Sequence, residues 1–139
     1  MKLSVKMGVF LKLFIQMKGD GVETELNTGK LKIASTEDGV RPNELMLASI
    51  AGCSLAVFRN ILQKQRVEFN DLAVDAEITE RNEDKANRIE SINLDFKVKG
   101  KDLKLEKLEK NLVLSQKHCP MVATVKGCVD ITHSIVIEE

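Results

Sequence analysis

Between Leu45 and Phe58 every residue is apolar or small, and only Ser49 and Ser54 offer a polar side-chain oxygen. A helix that is apolar on all faces belongs inside a fold rather than on its surface. The rest of the chain is therefore expected to be organised around this stretch. Pro42 suits the first turn of such a helix, where its missing N–H costs nothing. Glu44 sits in the same turn, favourable with the helix dipole. The helix is predicted to run to about Gln65, turning amphipathic from Arg59 onward. The Leu45–Phe58 run is shorter than the roughly 20 residues a bilayer span needs. Near its middle, directly after Gly52, lies Cys53.

A chain of 139 residues is most simply one domain, residues 1–139, large enough to bury a core. Twenty-one basic residues balance twenty-one acidic ones, which argues against a nucleic-acid binder working by phosphate neutralisation. Trp and Tyr are absent, so base-stacking platforms are not expected either. The N-terminal stretch is interrupted by lysines and shows no cleavage site after a continuous apolar run. The expectation is a cytoplasmic protein with no membrane and no nucleic-acid partner.

Along the chain, Leu3 to about Met17 and Val22–Leu26 read as a β-hairpin around Gly19-Asp20-Gly21. A basic amphipathic helix over residues 1–18 is the alternative. Asn27-Thr28-Gly29 makes a second turn and Lys30–Ala34 a third strand, giving a three-stranded meander. Leu72–Thr79 and Ile89–Val98 alternate and are rich in β-formers, joined by a charged loop, Glu80–Arg88. Lys101–Lys117 reads as an amphipathic helix ending at His118, because the residue before Pro120 is pushed out of α conformation. A short helix over Pro120–Lys126, stopped by Gly127, and a strand over Val129–Ile137 complete the order βββ-α-ββ-α-α-β. This is an α+β domain, and two hairpins are thin cover for so apolar a helix, which argues mildly for a homodimer.

Three cysteines, Cys53, Cys119 and Cys128, are too few for a secreted disulfide scaffold. Cys53 by itself reads first as a small core hydrophobe, since burial alone would raise its pKa and reactivity needs a nearby cation or dipole. Cys119 would cap the helix opened by Pro120, where exposed N–H groups favour a thiolate. Cys128 reads as packing beside Val129 and Ile131. No pair of cysteines has the short spacing of a zinc site; a metal held by Cys53, Cys119 and His118 is a weak possibility, and no cofactor is expected.

The Pro42-Asn43-Glu44-Leu45 helix leading into Gly52-Cys53, followed much later by His118-Cys119-Pro120, resembles the OsmC/Ohr family of osmotically inducible and organic-hydroperoxide-resistance proteins. Gly19-Asp20-Gly21 and Gly29-Lys30-Leu31 match the family's early turns. The resemblance implies an intertwined homodimer, with sheets wrapped around central buried helices. It also implies a thiol-dependent peroxidase for a small organic hydroperoxide. Cys53 would be the peroxidatic thiolate and Cys119 the resolving thiol, and a dithiol reductant would restore both. The hydroperoxidase branch carries an arginine in the early turn; here no arginine precedes Arg41, and Lys18 stands beside the matching position as an imperfect substitute. Its catalytic glutamate directly follows the proline; here that place is Asn43, and Glu44 comes one residue, about 100° of helix, later. The implied catalytic set is Cys53, Cys119, Glu44 and Lys18. The alternative is a non-catalytic dimer that binds a small apolar ligand.

Overall fold

The structure is a computed structural model that describes residues 11–138. The chain divides into two compact units, Met1–Leu45 and Met46–Glu139. In the first, β1 (Ile15–Lys18), β2 (Gly21–Leu26) and β3 (Gly29–Ile33) form an antiparallel sheet in that order. Lys18 pairs with Gly21 across a turn of Gly19 and Asp20. Gly19 has φ +65°, the positive value that a two-residue hairpin turn with glycine at its first central position requires. Gly21 and Gly39 both press on Ala34: a Cβ on either would lie 2.8 Å from the Ala34 Cβ. The predicted meander is present. The part of its first strand over residues 1–10, and most of the alternative helix there, lie outside the described residues.

Helix α1 spans Pro42–Lys64, then β4 (Asp71–Asn82) and β5 (Arg88–Lys99) form a hairpin, and α2 (Leu105–His118) and α3 (Pro120–Val125) lead to β6 (Asp130–Glu138). The second sheet has the order β4-β5-β6, with β6 parallel to β5. A parallel neighbour needs a crossover of a dozen or more residues, and α2 with α3 supplies it. Along β5, Ile92, Leu94, Phe96 and Val98 are fully buried, while Asn93, Asp95 and Lys97 alternate toward the other face. The core joins that row to Ile50, Phe58 and Leu62 of α1 and to Leu108 and Leu112 of α2. Phe58 meets Phe96 edge to face at 5.5 Å between ring centroids.

Three expectations change. The Glu80–Arg88 loop is shorter than its charge suggests. Both strands extend into it, Asn82 and Arg88 bond to the Glu90 carboxylate, and one 3-10 turn (Glu83–Lys85) closes the hairpin. The amphipathic helix begins at Leu105 rather than Lys101, because Asp102 turns the chain with φ +57°. Helix α1 is apolar all round but buried on one stripe only, Ile50, Ala51, Ser54, Phe58 and Leu62, since these spacings fall on one face. Met46, Ala48, Gly52 and Ala56 stay exposed. Taken whole, α1 is also long and apolar enough to cross a membrane by length and composition. The shortness of its central run therefore does not by itself decide the matter; the stripe packed on the β5 row makes it a core helix of this fold.

Candidate functional site: a buried thiol pair

Helix α1 carries Cys53 and Ser54 side by side, and the junction of α2 and α3 brings Cys119 to them. That junction follows from the sequence. Pro120 cannot continue α2 and suits the start of α3. Cys119 is held extended at φ −79°, ψ 116°, closing one helix and opening the next. The Cys119 side chain is fully buried and its sulfur accepts a hydrogen bond from the Ser54 hydroxyl at 3.5 Å. Cys53 is half-buried and its thiol is free. Two residues distant in sequence thus become neighbours: the Cys119 thiol is near enough to Cys53 to favour its neutral form.

Burial pushes the Cys53 thiol above the ordinary cysteine value; the backbone N–H of Met121, in the first turn of α3, acts against this, and the Cys119 thiol adds to the rise. The sequence assigned the start of α3 to Cys119. In the structure Cys119 makes no side-chain cap bond, and a first-turn N–H serves Cys53 instead. The reason is geometric: the extended Cys119 backbone turns its side chain into the core toward Ser54, and Cys53 reaches α3 from across the helix interface.

The other candidates have surroundings of their own. Glu44 is exposed and bonds the Arg41 N–H at 3.3 Å as part of the entry to α1; on that helix Cys53 lies half a turn of rotation away and about 13.5 Å further along the axis. Lys18 is in the N-terminal unit, at the end of β1, with its ammonium 3.9 Å from Glu23. Cys128, read as packing, is exposed; Gly127, with φ +85°, turns the chain so that Val129 fills the core in its place. His118 and His133 are exposed. Among the described residues no group of three or more His, Cys, Asp or Glu side chains is arranged to hold a metal ion, so the Cys53–Cys119–His118 set does not assemble. Ser54 and the Met121 N–H were missed as site components. A hydroxyl inside an otherwise apolar run was the available signal for Ser54; nothing in the sequence marks a backbone N–H.

Comparison with known proteins places this order of helices and strands in a family. Residues 35–134 match the family described as OsmC-like protein. This chain belongs to the OsmC-like family. Among its relatives, protein YhfA of Escherichia coli K12 is 36% identical over 94 residues, which cover 67% of this chain and 69% of that protein. The OsmC-like protein of Mycoplasma pneumoniae superposes with a TM-score of 0.80 at 15% identity, over 96% of this chain and 100% of that one. An organic hydroperoxide resistance protein from Elizabethkingia anophelis superposes with a TM-score of 0.76 at 12% identity, over 95% and 100%. At these identities the two structures establish the OsmC-like fold: two sheets and three helices, arranged as described above.

Proposed function

We propose that this OsmC-like chain is a thiol-dependent peroxidase for organic hydroperoxides, with Cys53 as the attacking thiol and Cys119 as the resolving one. The observation that carries the reading is the asymmetry of two neighbouring thiols: Cys53 is half-buried, while Cys119 is fully buried. Cys53 sulfur attacks the terminal peroxide oxygen; the O–O bond breaks, an alcohol leaves with one proton, and Cys53 becomes a sulfenic acid. Cys119 sulfur then attacks the Cys53 sulfur, hydroxide leaves as water, and a disulfide forms. An external dithiol reduces it and is itself oxidised to a disulfide. Lys18 and Glu44 complete the proposed set, standing in for the arginine and glutamate of the hydroperoxidase branch.

We further propose that the protein acts as a cytoplasmic homodimer, a second copy covering the exposed side of α1, where Ala48, Gly52 and Ala56 recur at four-residue spacing. Small residues on one face allow close approach of another helix. The family match crosses the division between the two compact units, which supports treating residues 1–139 as one OsmC-like domain.

The test is to mix reduced protein with cumene hydroperoxide under single-turnover conditions, following alcohol release and free thiols. The expected result is one alcohol formed for each Cys53–Cys119 pair consumed. No alcohol and no thiol loss at micromolar peroxide would sink the reading. The upward push on the Cys53 thiol favours the second reading, a non-catalytic dimer holding a small apolar ligand. There, serine at Cys53 leaves function unchanged, whereas in a peroxidase it abolishes turnover.

A further inference from the structure

Four serines and threonines lie within the described helices, and three of them behave alike. Ser49 donates to the Met46 carbonyl, Ser115 to the Leu112 carbonyl and Thr124 to the Pro120 carbonyl, each at 2.7 Å. This is the ordinary back-bonding of a helical hydroxyl to its own preceding turn. Ser54 departs from it. Its hydroxyl leaves α1, crosses to the α2–α3 junction and donates to the Cys119 sulfur. Both groups are fully buried, in a core where an alanine would pack without any polar atom to satisfy. A neutral thiol is a weak acceptor, and a hydrogen bond to a thiolate is the stronger kind, so this hydroxyl is placed to matter most when a sulfur reacts.

We infer that Ser54 is a positioning residue for Cys119: its hydroxyl holds the buried sulfur against Cys53 and sets the rate at which the pair closes to a disulfide. Ser54 and Cys53 are consecutive on α1, so one helix presents both the hydroxyl that steadies the Cys119 sulfur and the sulfur it attacks. In the closing step the Cys119 thiolate displaces the leaving group from Cys53; the S–S bond forms, the Cys53–leaving-group bond breaks, and Ser54 keeps its proton, donating only a hydrogen bond. The inference deepens the peroxidase reading and borrows its order of events, but the closing step itself needs no peroxide.

That independence separates the two in the experiment. In a Cys128→Ser background, an aromatic disulfide such as dithiodipyridine first forms a mixed disulfide at Cys53, releasing one thiopyridone. Attack by Cys119 then releases the second. With Ser54→Ala the first release keeps its rate and the second slows about tenfold, as expected for loss of a hydrogen bond to a charged acceptor; Ser54→Thr, which keeps the hydroxyl, restores most of it. Equal second-phase rates in the parent and Ser54→Ala, or a matching loss of both phases, would overturn the inference. An alanine effect that threonine does not rescue would also count against it. If dithiodipyridine gives this pattern while cumene hydroperoxide gives no reaction, the role of Ser54 stands and the peroxidase reading falls.

Discussion

At the scale of the residue, the two thiols are distinguished by what surrounds their sulfurs. Cys53 faces opposing influences: burial and the neighbouring thiol favour its neutral form, and the Met121 N–H favours the thiolate. The balance leaves it above the ordinary cysteine value, so the reactive fraction is small near neutral pH and rises into the alkaline range. Alkylation of Cys53 by iodoacetamide, followed by peptide mass, is therefore expected to accelerate with pH through a midpoint above that of a free cysteine. A midpoint below it would show that another charge activates the thiol. The linkage has a definite sign. With a folded-state value raised above the unfolded one, the native chain holds this proton more tightly. Its contribution to stability is full below the unfolded value and is lost as pH rises through the folded one. Urea midpoints for the parent should thus fall more than those of Cys53→Ser as pH is raised past the cysteine range.

At the scale of the element, α1 is held by a stripe in which Phe58 is the largest contact, set against Phe96 of the β5 row. Phe58→Ala removes it from a fully buried position and is expected to cost about 3–5 kcal/mol, read from urea unfolding. In the meander the constraint is close approach. A Cβ at Gly21 would stand 2.6 Å from the Ile33 carbonyl oxygen, so Gly21→Ala is expected to cost about 1–3 kcal/mol; a change within a few tenths of parent stability would contradict that packing. The order of helices and strands was legible because periodicity and the Pro and Gly punctuation are local signals. The parallel placing of β6 beside β5 was not, since pairing depends on contacts far apart in sequence. The same limit applies to the site. Cys119 at a proline-started helix could be read from its neighbours, but the direction of its side chain, toward Ser54 and away from the α3 N–H groups, is set by tertiary packing.

At the scale of the whole molecule, one side of an apolar helix is exposed among the described residues, and a second copy is the proposed cover. Sedimentation is expected to give a dimer at micromolar concentration. Ala56→Glu, at an exposed position outside the core, should shift it toward monomer while leaving secondary structure intact; a monomeric parent would remove the dimer from the account. The central claim remains the coupling of Cys53 to Cys119. Its most direct test is to oxidise the Cys128→Ser protein with one equivalent of cumene hydroperoxide, block the remaining thiols, digest without reductant and identify linked peptides by mass. The account predicts one dominant species, the Cys53 peptide joined to the Cys119 peptide and released by a dithiol. Unlinked peptides, with Cys119 still free to be alkylated and Cys53 unmodified, would contradict it.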